Sequence, residues 1–273
     1  MSKPSNKFPL ASFLVIVIVI LSFLSLLIGP TKLSAAKVFS SLFMSGDPNI
    51  FSIIWQVRVP RLLLSLVYGI IIAIAGSIFL GIQGSNFFDN KIIRFYYGLS
   101  AAITAIAMIM ITSGSKLNIS FYGLLGSLYG ATWNKIIATS IFAILGIGVS
   151  ILYSKDLNAL LFGEYTAKTL GIEVQRTRAI LFAFALILSV ALVYFCGMLC
   201  LTGLIIPYFV RLIAGVNFKY LIPVSMLTGA AVILFLDIFS RIIFPSELPI
   251  GIIIMIVLGP LYIYALRRRR LGL

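Results

Sequence analysis

From Phe13 to Gly29 the chain reads "FLVIVIVILSFLSLLIG", a stretch without a single charged residue. About 20 such residues, wound as a helix, span the hydrocarbon core of a bilayer. Runs of the same character recur to the end of the chain, and that recurrence constrains the fold more than any motif. Composition agrees. Hydrophobic residues make up 61% of the 273 and charged residues 10%, against about 45–50% and 25% in soluble domains. A membrane barrel would instead show segments of about 10 residues alternating apolar and polar. In lipid every backbone polar group must be satisfied internally, and continuous apolar runs do this only as helices. The expected fold class is therefore all-α, a polytopic helical membrane protein.

The hydropathy pattern predicts about eight spans, at 10–29, 61–82, 92–112, 135–153, 178–196, 198–215, 222–241 and 249–266. The pair 178–196 and 198–215 is separated only around Gly197. A single helix of that combined length would be far too long for a bilayer, so Gly197, Gly203 and Pro207 are expected to break it. The first run is longer than the 7–15 residues of a signal peptide's apolar region. It is read as an uncleaved span, although "LSAA" after it faintly resembles a cleavage site. With no internal repeat and no low-complexity linker, residues 1–273 read as one transmembrane domain.

A formal net charge of +14 would point to nucleic acid in a soluble chain. Beside membrane spans, basic residues instead set orientation and meet anionic headgroups, so lipid is the expected partner and nucleic acid is not. With the N-terminus placed inside, about two in three of the 21 Lys and Arg residues fall on the inner side. That bias predicts a multi-pass protein of the cell membrane with both termini cytoplasmic. Small residues four apart, Ala73 with Ser77 and Gly146 with Ser150, have the spacing that lets helix backbones approach closely.

Several chemistries are excluded. The chain has no histidine, which removes the commonest general base and any Ser-His-Asp arrangement. Cys196 and Cys200, alone in an apolar segment, make no zinc site. No G-x-x-x-x-G-K-[ST] phosphate loop occurs, so ATP is not hydrolysed here by that route. The chain is not expected to be an enzyme, nor to hold a metal or other cofactor.

Charge is concentrated in one internal stretch, about 155–177, which holds Lys155, Asp156, Glu164, Lys168, Glu173 and Arg176, with Arg178 just beyond. Asp156-Leu-Asn158 offers a helix cap, and residues 159–170 can form one or two short helices ending at Gly171. Ala167 and Leu170 are placed on one face, Tyr165 and Lys168 on another. Such a helix with a small residue at its middle suits docking into a partner's groove; a solvated connector accounts for the charges equally well.

This loop carries a resemblance. "LNALLFGEYTAKTLGIEV" is similar to the coupling loop of the permeases of the iron-siderophore, haem and vitamin B12 class of ABC importers. "RVPRLLLSLVYGIIIAIAGSIFLG" resembles that family's R-x-P-R entry to its second helix. "GMLCLTGLIIPYFVRL" resembles its G-x-x-x-F-x-G-L-x-x-P-H-x-x-R stretch, and "LFLDIFSRIIFPSELPIGIIIMIVLGPLYIYAL" its A-D-x-x-A-R…E-x-P-[IV]-G…G-x-P-x-F ending. Four ordered matches cover residues 55–82 and 120–273. Tyr208, Leu80 and Thr202 depart from the usual histidine, glutamine and aromatic. "GIQGSNFFDNKIIRFYYGLSAA" erodes the Asn-Pro-Leu-Ala motif and runs straight into what resembles the family's fifth helix. The chain is thus short of the family by about two spans, at about 20 residues each plus loops.

The resemblance implies an ATP-driven importer of an iron chelate, haem or corrinoid. Gly163, Glu164, Ala167, Leu170 and Gly171 would couple the loop to a cytoplasmic ABC ATPase subunit. Arg58, Arg61 and Arg241 would receive acidic residues of an extracellular or periplasmic substrate-binding protein; snorkelling to headgroups is the alternative for each. A second permease copy or a paralogue would complete a dimer. The third and last spans would line the pathway between the two, with Ser100, Thr104, Met108 and Met255. Asp237 is the one acid inside a span. An intramembrane acid raises the alternative of a proton- or ion-coupled secondary transporter. Arg241, four residues on, instead predicts a structural ion pair.

Overall fold

The computed structural model describes residues 7–29, 34–42, 47–83, 126, 128, 130–196, 203, 205–243, 250 and 253. Among them the chain is helical: α1 Lys7–Leu27, α2 Ala35–Leu42, α3 Pro48–Ile53, α4 Val59–Gln83, α5 Trp133–Leu152, α6 Ser154–Leu161, α7 Glu164–Thr169, α8 Val174–Cys196, α9 Ile205–Ala214 and α10 Phe218–Ile243. Five helical stretches are long and apolar enough to cross a membrane: Leu10–Leu27, Pro48–Ile82, Trp133–Leu152, Val174–Phe195 and Phe218–Ile242. They match five expected spans within a few residues, apart from one start. The expected spans 92–112 and 249–266 lie outside the described residues, except Ile250 and Ile253. The expected span 198–215 is described only as Gly203 and α9. The expected break around Gly197 lies outside the described residues, which resume with Gly203 and α9.

The exception is the second span, which starts at Pro48 rather than near residue 61. Asp47 caps it, its side chain accepting from the Asn49 amide at 3.1 Å, and Pro48 occupies the first helical position, where a missing amide hydrogen costs nothing. Pro60 falls inside the run. Proline lacks the donor for its rung and crowds the carbonyl four residues back. A five-residue π-helical turn, Ile54–Arg58, precedes it and closes with the Val59 amide on the Ile54 carbonyl. The wider turn absorbs the conflict, so the helix continues instead of breaking.

α4 is the central helix. Of its run 78% is buried, against 67% for α10 and only 11% for α1. Tyr68, Ile72, Phe79, Leu188, Leu192 and Phe218 belong to one core that joins α4, α5, α8 and α10. Backbones meet at two places. A Cβ on Gly69 would lie 2.3 Å from the Gly229 carbonyl oxygen, and one on Gly76 would lie 1.6 Å from that of Gly203. Ala73 and Ser77, flagged by spacing, are both fully buried on the same stretch of α4. Ile137, Ile141, Ile144 and Leu145 of α5 are exposed on one helix face, as suits a surface against lipid.

The long helices set up two ends. At one, the π turn, the C-terminus of α1 and the C-terminal part of α10 come together. The start of α5 lies at this end too, its Trp133 indole donating to the Trp55 carbonyl at 3.3 Å. At the other end lie the last turn of α4, the loop 154–173 and the start of α10.

Candidate functional site

Two polar constellations occupy these ends. The loop begins where α5 stops at Leu152 and α6 starts at Ser154. Gly163 has φ of +102° between α6 and α7, and Gly171 has φ of +80° after α7. Both lie in the left-handed region that glycine enters without strain, so these two positions let the chain fold back on itself. The ending at Gly171 agrees with the sequence reading of one or two short helices within 159–170, although the first of the two starts at Ser154.

Two details differ from it. Ala167 is not on the outward face with Leu170. It is 0% exposed and packs with Ala159, Leu160, Val174 and Ile172 in a small core internal to the loop. The fold-back at Gly163 lays α7 over α6, and only a small side chain fits the contact. Asn158 does not cap its own helix either, because α6 starts four residues earlier. Its side chain reaches across to α10 instead: the amide donates to Asn217 Oδ1 at 3.1 Å, and Oδ1 accepts from the Phe218 amide at 2.7 Å.

What the loop presents outward is apolar as well as charged. Phe162 is 73% exposed, Tyr165 84% and Leu170 64%. In the same loop the Glu164 carboxylate accepts from the Arg178 guanidinium and so ties α7 to α8. Glu173 and Arg176 form an exposed pair at 3.5 Å, a contact worth at most about 1 kcal/mol. Phe162 and Tyr165 stand in the quoted motif, yet spacing alone does not tell their exposure from Ala167's burial.

At the opposite end Arg61 and Arg241 come together around Asp237, with Arg58 beside them at the end of α1. Asp237 is 0% exposed; Arg58 is 4% and Arg61 8%. Arg61 Nε donates to Asp237 Oδ1 at 2.9 Å, and Arg241 Nη2 donates to Asp237 Oδ2. The pair expected from the four-residue spacing is present, joined by Arg61 from 176 residues away. Arg241 also donates to the carbonyls of Ser25 and Ile28 at 3.1 Å each and to Ser25 Oγ at 2.9 Å. Arg58 donates to the carbonyls of Leu26 and Leu27. These oxygens belong to the last turn of α1, whose carbonyls have no partner within the helix and form the negative end of its dipole. Two arginines satisfy them. The guanidinium groups thus face inward, toward Asp237 and the end of α1. Of the expected pathway residues, Ser100, Thr104, Met108 and Met255 lie outside the described residues.

Comparison with known proteins places the chain in a family. The model of the FecCD transport family matches residues 17–93 and 91–268. The chain is 36% identical over 171 residues to the cobalamin import system permease protein BtuC of Halobacterium salinarum, covering 63% of this chain and 46% of that protein. It is 32% identical over 171 residues to the Fe(3+)-citrate import system permease protein YfmD of Bacillus subtilis, covering 62% and 50%. These alignments span about half the length of either relative. The iron(3+)-hydroxamate import system permease protein FhuG of Bacillus subtilis is 28% identical, with 94% of this chain and 95% of that protein covered. That alignment runs over 323 positions, more than the 273 residues of this chain, so the relative carries sequence that this chain lacks. A solved structure described as an inward-facing conformation of a metal-chelate type ABC transporter superposes with a TM-score of 0.70 at 25% identity. It covers 96% of this chain and 99% of that one.

Proposed function

Because the chain belongs to the FecCD transport family, we propose that it is the membrane-spanning permease subunit of an ABC importer for an iron chelate, haem or a corrinoid. The observation that carries this reading is the loop 154–173, a preformed pair of short helices that holds Phe162, Tyr165 and Leu170 out of the bundle. Three exposed large apolar side chains within a charged loop are costly in water, and they mark a surface that a protein covers. That protein is a cytoplasmic ABC ATPase subunit, since this chain has no phosphate-binding loop of its own. Glu164, Leu170 and the outward side chains make the contact. Gly163, Gly171 and Ala167 give the loop its shape.

The loop then lies in the cytoplasm, and the arginine cluster lies at the outer end. Three arginines against one buried aspartate leave that cluster positively charged. Charge acts beyond contact distance and speeds encounter with an acidic surface. Arg58, Arg61 and Arg241 serve an acidic substrate-binding protein in this way, by their field, while their side chains remain bonded inside. A second permease copy or paralogue completes the pathway, and the complex sits in the cell membrane. A secondary transporter centred on Asp237 finds no support in the geometry, because that carboxylate is held between two guanidinium groups.

The test is copurification. Tagged chain extracted in mild detergent is expected to retain an ABC ATPase subunit, and vesicles of the complex to take up one of ferric citrate, a ferric hydroxamate, haemin or cobalamin with ATP inside. Uptake driven by a proton gradient in the absence of any ATPase would overturn the reading.

A further inference from the structure

The four amide hydrogens at the start of a helix have no partner within it. At α10 the amides of residues 218–220 are satisfied, but not by α10 alone. The Lys219 amide donates to Asn217 Oδ1 at 3.0 Å and that of Tyr220 to the Asn217 carbonyl at 3.0 Å, the carbonyl that also accepts the first regular rung of the helix from Leu221 at 2.9 Å. The third, Phe218, donates at 2.7 Å to Asn158, a residue of the charged loop 60 positions earlier. Asn158 then donates through its own amide to Asn217, the residue that caps α10. One side chain therefore both completes the cap and holds the capping residue.

The same place is closed by packing. A Cβ on Gly81, in the last turn of α4, would lie 2.4 Å from Leu157 Cδ2 and 3.0 Å from Phe218 Cζ. Leu157 and Phe218 are buried. The loop, the end of α4 and the start of α10 thus meet at a single node next to Asn158. Pro223 stands inside α10; it cannot donate to the Lys219 carbonyl, so the first turn is fastened less firmly to the rest of its own helix. That turn depends on the loop for its position. Beyond it, α10 is fixed to α4 at Gly229 and Gly69 and again at Asp237 and Arg61. At ~1.5 Å per residue, roughly 28 Å separate Phe218 from Asp237.

We propose that Asn158 is a positioning residue that makes the start of α10 follow the loop, so that movement imposed on the loop reaches the α4–α10 pair. This rests on the reading of the loop as the ATPase contact. An element that two sites bias is what coupling needs physically, and the cap is where loop and helix are joined by directed bonds.

Hydrogen exchange measured by mass spectrometry tests it, on the complex of permease and ATPase in lipid nanodiscs. In the wild type, ATP with vanadate is expected to change exchange in the loop and at residues 218–221 together. In Asn158→Ala the loop should still respond and ATP hydrolysis persist, while 218–221 no longer respond. In the permease alone, exchange there should rise on the order of tenfold, as for one lost hydrogen bond. Asn158→Asp keeps the acceptor for the Phe218 amide and should retain most of the response. A general loss of folding would remove ATPase binding as well, which separates the two causes. A wild-type response in Asn158→Ala, or unchanged exchange in the permease alone, would overturn the proposal and leave the importer reading intact. Failure of the wild-type chain to hold any ATPase defeats that reading, and the proposal falls with it.

Discussion

Asp237 shows how one residue's surroundings decide between chemistry and structure. An isolated carboxylate inside a span would be a candidate proton carrier. With Arg61 and Arg241 on its two oxygens and no exposure, it is the counter-ion that allows the guanidinium groups to be buried. Removing one partner of such a group leaves a buried charge uncompensated, at a cost of about 3–5 kcal/mol. Asp237→Asn is therefore expected to lower unfolding stability in detergent by that order, and Asp237→Asn combined with Arg61→Met to recover part of it. A proton-relay role predicts a normally stable Asn variant that has lost transport, so the unfolding midpoint separates the two. Arg58 makes a related case. It satisfies two carbonyls at the end of α1, a helix with little other burial. Arg58→Ala should raise hydrogen exchange in the last turn of α1 and leave the middle of α4 unchanged.

At the scale of elements, what could be read in advance follows from physics that acts along the chain. The five described spans were legible because a long apolar run crosses lipid as a helix. The close of the short helices at Gly171 was legible because glycine's freedom to take a positive φ acts locally; the start of the first was not, since neither short helix has a side-chain cap. The start of the second span was not: a π turn ahead of Pro60 has no signature in hydropathy. Nor was the inward face of Ala167, which depends on the fold-back at Gly163, or the reach of Asn158 to a helix 60 residues on. Small-residue spacing pointed to Ala73 and Ser77, but the closest approaches are at Gly69 and Gly76, whose partners Gly229 and Gly203 lie far along the chain. These contacts give a contrast to measure. Gly69→Ala places a methyl group against the backbone of α10 and is expected to destabilise by about 1–3 kcal/mol or more. Gly148→Ala, in α5 with nothing within 4 Å, should be neutral or stabilising by up to about 1 kcal/mol, since alanine favours a helix over glycine. Equal effects at the two sites would refute the close α4–α10 packing.

For the whole molecule the open quantity is its direction in the membrane, and structure and charge constrain it independently. The structure fixes which segments share an end: the loop 154–173 lies with the last turn of α4 and the start of α10, while the arginine cluster lies at the other end with the start of α5. Which end is cytoplasmic is a matter of charge, because Lys and Arg in short loops are retained on the cytoplasmic side. The loop end carries Lys155, Lys168, Arg176 and Lys219, all exposed, whereas at the other end the arginines are bonded to Asp237 and to α1, leaving Lys37 and Lys135 among the described residues. The two arguments meet in one experiment. With Cys196 and Cys200 replaced by Ala, a cysteine at Lys37, exposed on α2, is expected to react with an impermeant maleimide added to intact cells. A cysteine at Lys168, exposed on α7, should react only after the membrane is opened. The reverse pattern would put the loop outside, where no ATPase can reach it, and would end the coupling role however well the family resemblance holds.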